Sequence, residues 1–157
     1  MGIYVFKTDK LLEVLNLYCE KWKLHTRSEE KPPAKFGKYG KASCSIISNG
    51  AIINGVVENC VISPGVVIEE GTVVRNSVVF NNTRIKSDSI VCNCIIDKNV
   101  TVGSNSHIGF GNDLTANFER ADVLNGDSGL TVIAKGAYIP DNTQIGRNCR
   151  VLSQAKE

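Results

Sequence analysis

This 157-residue chain holds only two histidines, His25 and His107, so it cannot complete a three-histidine zinc centre of the hydratase kind. It has no excess of one charge sign either. Eighteen basic residues against sixteen acidic ones leave a formal charge of +2, scattered along the chain, which excludes an electrostatic nucleic-acid footprint. No apolar run approaches the length of a membrane span, and no signal-peptide layout is visible, so the expectation is a soluble, cytoplasmic protein. Hydrolase and nucleotide signatures are missing as well. There is no G-x-S-x-G element and no paired-carboxylate arrangement, and Gly109-Phe110-Gly111 lacks the third glycine and the strand–helix setting of a phosphate-binding loop.

What is present is repetition at a fixed interval. Residues 59–75 (NCVISPGVVIEEGTVVR), 76–92 (NSVVFNNTRIKSDSIVC) and 93–109 (NCIIDKNVTVGSNSHIG) align as three copies of one 17-residue unit. Aliphatic residues recur after six, six and then five positions: Ile62, Ile68, Val74, Val79, Ile85, Val91, Ile96, Val102 and Ile108. Small or β-branched residues follow most of them at four positions, as at Val66, Thr72, Thr83, Ser89, Val100 and Ser106. A step of about six residues predicts a solenoid of short strands, three to a coil, with the aliphatic inward at each step. Asn49-Gly50, Glu70-Gly71, Asn81-Asn82 and Gly103 supply turn residues, where positive φ is often required.

The pattern extends upstream as a shorter coil over residues 44–58. It resumes downstream with Ile133, Ile139, Ile145 and Val151 inward and Ala137, Thr143 and Cys149 in small positions. The expected fold is therefore mainly β, a left-handed parallel β-helix of about five coils. The left hand is expected from the hexad motif, against the usual crossover rule for parallel strands. Residues 110–130 break the register and read either as a surface loop or as a lid or partner contact. The first forty residues differ in kind. MGIYVF reads as a strand, a helix carrying Leu11, Leu12, Leu15 and Trp22 follows, and the stretch with Pro32-Pro33 reads as a linker. The expected division is 1–40 and 41–157.

Six cysteines raise the questions of disulfides and metal. Cys44, Cys60 and Cys94 are assigned to one column of the repeat and Cys149 to a small position. Cys92-Asn93-Cys94 lacks metal-finger spacing, so these read as packing thiols. Acyltransferases on such prisms use a histidine base, for which His107 is the candidate; the other reading is an exposed coil residue. Lys98 and Lys135 sit at turns. They read either as solvated lysines or as point charges for an anion such as phosphate.

The segments LNLYCEKWKLHT, PPAKFG, NGAIINGVVENCVISPGVVIEEGTVVRNSVVF, IIDKNV and SGLTVIAKGAYIP, in that order, resemble the bacterial glucose-1-phosphate adenylyltransferases (ADP-glucose pyrophosphorylases) of glycogen biosynthesis. They cover most of residues 16–152, and MGIYVF is similar to a segment near the end of that family's catalytic domain. The resemblance implies a parent enzyme that makes ADP-glucose and diphosphate from ATP and glucose 1-phosphate with magnesium. It also implies that this chain carries the C-terminal regulatory and oligomerisation domain. The family's nucleotide-binding and sugar-phosphate segments are missing between MGIYVFKTDKLLEVL and LNLYCEKW, so no catalytic residue, metal site or cofactor is expected in this chain. The family's effector-binding basic residues fall on Lys98 and Lys135. The expected partners are further copies of the chain, as dimer or tetramer, and an anionic effector such as a sugar phosphate or phosphate, without nucleic acid or membrane.

Overall fold

A computed structural model describes residues 30–111 and 129–153. The chain divides into two units, residues 1–30 and 31–157. The expected N-terminal strand and helix lie outside the described residues, as does all of the 110–130 excursion except its two ends.

Among the described residues, eighteen strands of two to four residues form three parallel sheets of six strands each. Each sheet takes every third strand, so the chain winds as a solenoid with one strand per sheet in every turn. There are thus about six turns, not the five expected. The extra turn comes from the N-terminal side. Lys35–Phe36 pairs with Ile52–Ile53, and Lys41–Ser43 pairs with Val56–Glu58. Even Pro32 is stacked, its carbonyl accepting the Gly50 N–H at 2.6 Å. The stretch read as a linker therefore enters the ladder at Lys35.

The three faces will be called by one strand each: the Ile95 face (Cys94–Ile96), the Thr101 face (Thr101–Val102) and the His107 face (His107–Phe110). Register follows the repeat. Val61 lies beside Val78 and Val78 beside Ile95, an advance of one 17-residue unit per turn. All nine inward aliphatics of the repeat are fully buried, as is Ile133. The small positions are buried with them, and there the hydroxyls are used. Thr72 Oγ1 donates to Lys86 O at 2.8 Å, Thr83 Oγ1 to Asp97 O at 3.0 Å and Ser89 Oγ to Gly103 O at 2.8 Å. Each buried polar group thus ties one turn to the next, which removes the cost of burying it.

Every corner contains one column of left-handed residues. Gly50, Gly65, Asn82, Asn99 and Gly136 form one; Gly71, Asp88, Asn105 and Asn142 the second; Cys44, Asn59, Asn76, Asn93 and Asn148 the third. Asparagine tolerates this conformation and can also pair along the stack: Asn59 Nδ2 donates to Asn76 Oδ1 at 2.9 Å, and Asn105 Nδ2 to Asn142 Oδ1 at 2.8 Å. Cys44 corrects the sequence reading. It stands in the asparagine column at φ 48° and is exposed, one position before the thiol column.

That thiol column runs Ser45, Cys60, Ser77, Cys94, followed two turns on by Cys149, preceding residues that pair rung to rung. Ser77 Oγ donates to Arg75 O at 2.6 Å, Cys94 Sγ to Cys92 O at 2.9 Å and Cys60 Sγ to Glu58 O at 3.1 Å. Serine and cysteine alternate there because both close the same corner. Burial pushes the Cys94 thiol up to about 12, with the neighbouring Cys92 sulfur adding to it, and burial likewise raises Cys60.

Three outcomes test this register. Ile85→Ala should cost about 2–5 kcal/mol in chemical denaturation, whereas Arg84→Ala, exposed and paired only to Glu69, should cost no more than about 1 kcal/mol. Cys44→Asn should stabilise by about 1 kcal/mol by replacing a residue poorly suited to positive φ. Cys94 has its folded pKa raised above the unfolded value, so its stabilisation is complete below about pH 9 and lost progressively towards pH 12. Denaturation from pH 8 to 11 should show Cys94→Ser losing less stability over that range than the wild type.

Candidate functional site

The corner between the Ile95 and Thr101 faces carries the two lysines singled out by sequence. After Cys94–Ile96 the chain turns through Asp97, Lys98 and Asn99 into Thr101–Val102. The Asp97 carboxylate accepts the Lys98 N–H at 2.7 Å, and Asn99 takes φ 58°. One turn later Thr131–Ile133 leads through Ala134, Lys135 and Gly136 into Tyr138–Ile139, with Gly136 at φ 72°. Ile96 pairs with Ile133, and the Gly136 N–H donates to Lys98 O at 2.9 Å. The two lysines therefore occupy the same place on successive rungs, at the ladder spacing of about 4.8 Å. Both are exposed.

Thirty-seven sequence positions separate them, yet the register makes them neighbours. Seventeen of those positions are the repeat, and the rest are the excursion, which leaves and returns at the corner between the His107 and Ile95 faces. A third cation reaches the lysine corner. Lys31 extends along it and donates from Nζ to Asn82 Oδ1 at 3.0 Å, one turn before Lys98. Sequence reading missed Lys31, since nothing in a turn lysine's spacing shows how far its side chain lies along a stack.

Beside this corner, on the Ile95 face, lies a shallow cavity of about 380 Å³ lined by Phe80, Ile95, Asp97, Val132, Ala134 and Arg150. Asp97 and Ala134 directly precede the two lysines, so the arrangement is an apolar shelf with ammonium groups along one margin and a guanidinium in its lining. It can hold an anion by charge and a less polar body by contact, while the Asp97 carboxylate, engaged with backbone, moderates the field.

His107 is not part of this site. It points out of its sheet between Ile90 and Gln144 and packs edge-on against Phe110, with ring centroids 6.4 Å apart at 74°. Its imidazole has no acidic partner among the described residues. Among the described residues no group of three or more His, Cys, Asp or Glu side chains could hold a metal. No helix among them is long and apolar enough to cross a membrane.

Comparison with known proteins agrees with the fold. The family model described as GlmU-like, C-terminal hexapeptide, matches residues 32–133. A glucose-1-phosphate adenylyltransferase from Thermomicrobium roseum is 41% identical over 91% of this chain, and one from Pseudothermotoga lettingae is 42% identical over 87%. That from Acetivibrio thermocellus is 35% identical over 85%. The chain spans about a third of the length of these relatives, 33%, 32% and 30% respectively, and corresponds to their C-terminal region. By its stacked hexads and by the 102 residues that this match covers, the chain belongs to the GlmU-like C-terminal hexapeptide family.

Proposed function

We propose that this chain serves as the C-terminal regulatory and assembly domain of a glucose-1-phosphate adenylyltransferase of glycogen biosynthesis, acting in the cytoplasm. The nucleotidyl transfer itself, ATP with glucose 1-phosphate giving ADP-glucose and diphosphate, belongs on this reading to a part of the enzyme outside the β-solenoid. The observation that carries the proposal is the stacking of Lys98 on Lys135. Two ammonium groups on adjacent rigid turns form a preorganised anion site, and a phosphate or sugar phosphate bound there would bias whatever packs against that corner. A single lysine at a solvated turn would have no such consequence.

Assembly is supported by the outer surface of the Ile95 face. Ile46, Val61, Val78, Ile95 and Val132 form an unbroken aliphatic row across five rungs, of which Ile46 and Val61 are well exposed. A flat apolar strip of this kind favours burial against another protein surface, a second copy of the chain included.

Titration with inorganic phosphate, followed by NMR on the full chain, tests the effector role. Binding is expected in the millimolar range, about −4 kcal/mol, because only a few charges engage the ligand. The amides of Lys98, Asn99 and Gly136 should shift. Lys98→Ala and Lys135→Ala should each weaken binding several-fold, and the double variant should abolish it with stability changed by less than about 0.5 kcal/mol. Equal phosphate affinity in the double variant would refute the site.

A further inference from the structure

A different corner, between the Thr101 and His107 faces, holds a feature that neither the lysine site nor assembly accounts for. In the turn that contains Ile52–Ile53 and Val56–Glu58, only Asn54 and Gly55 link the two strands. The turn before it uses four residues, 37–40, and the turn after it uses 69–72. The shortened corner leaves a notch whose walls are rungs two apart, roughly 10 Å. Its volume is about 490 Å³. The floor is almost bare backbone, since a Cβ on Gly55 would collide with the Thr72 carbonyl oxygen.

The chemistry of the lining is specific. Tyr39 stands on one wall, 53% exposed, with the Lys38 ammonium 5.1 Å from its ring centroid. Glu70 and Asp88 line the opposite side, with the Asp88 carboxylate lying over Gly71. Asn54 is at the base. Among the described residues the side chains of Asn54, Glu70 and Asp88 make no hydrogen bond or ion pair, although the comparable acids Glu58 and Glu69 are paired with arginines. No lysine, arginine or histidine is among the lining residues, although the Lys38 ammonium lies over the Tyr39 ring.

We infer that this notch binds a neutral saccharide, one or two hexose units of a chain. Two carboxylates against the one ammonium over Tyr39 disfavour an anion, and the uncompensated carboxylates and amide reject an apolar ligand, which would leave them desolvated and unpaired. A polyhydroxylated ring satisfies both demands. Its vicinal hydroxyls donate to Glu70 and Asp88 and exchange hydrogen bonds with the Asn54 amide, and its C–H face packs on the flat Tyr39 ring. The volume lies within the range of small-molecule sites, and the open ends let a longer chain run through. A divalent cation is the rival occupant, but two carboxylates are a sparse ligand set for one.

The site is independent of the lysine corner, so its failure leaves that reading untouched. The test is an NMR titration of the full chain with maltohexaose, cellohexaose and, separately, calcium chloride. Saturable shifts of the Gly55, Gly71 and Asp88 amides by at least one oligosaccharide are expected. Tyr39→Ala should weaken binding about tenfold, corresponding to loss of one ring contact. Asp88→Asn, which preserves the left-handed turn, should weaken it several-fold, and Lys98→Ala/Lys135→Ala should not change it. Unshifted Ile85 and Ile108 amides will show that each variant is folded. Failure of both saccharides to saturate, shifts unaffected by Tyr39→Ala, or a response to calcium alone would each overturn the inference.

Discussion

The in-register stacking of inward aliphatic side chains on parallel strands is the constraint from which everything else in this structure follows. A strand of two residues cannot be stable by itself, and a single turn cannot bury its own apolar face. Only when Ile68 packs beneath Ile85, and Ile85 beneath Val102, does each side chain lose its water entirely. Hydrogen bonds between turns point along the stack, and the buried hydroxyls of Thr72, Thr83 and Ser89 reinforce the same direction. The interior is thereby fixed, and variation is pushed outward to the corners.

The three corners have used that freedom differently. One is lined by asparagines and by the alternating serines and cysteines that close the turn between faces. It is also where an insertion leaves and returns without disturbing the pairing of Cys94 with Thr131. Another collects lysines. The third has lost two residues in one turn and gained a notch. Because successive rungs are about 4.8 Å apart, any residue type repeated at a corner becomes an array with that spacing. For uncharged asparagines the array is a hydrogen-bonded ladder, and for ammonium groups it is a like-charged pair.

This separation of duties suits a domain found as about a third of larger enzymes. The relatives' shared name describes a nucleotidyl transfer, but the stretch in common with them is a rigid column whose described residues contribute surfaces and charges. A rigid column holds its corners in fixed relation, since close-packed interiors shift between discrete arrangements rather than deforming continuously.

The sequence by itself determined the repeat, the inward set and the turn columns, because a period of six residues admits one pleated solution in which every aliphatic faces the axis. It also determined that Asn, Gly and Asp fill the corners, since the left-handed backbone there selects them. It misplaced Cys44, because the turn shortened by two residues cuts the step from 17 positions to 15 and leaves this thiol one place off its neighbours in the adjoining column. It stopped one turn short, because Pro32-Pro33 and the charged residues near it mimic a linker. What only the tertiary structure decided is adjacency across turns. That Lys98 meets Lys135 across the excursion, that Lys31 reaches Asn82, and that deletion of two residues beside Gly55 opens a notch towards Tyr39 and Asp88 all depend on how rungs superimpose. That superposition is set by the collective register of the ladder, which no local run of residues encodes.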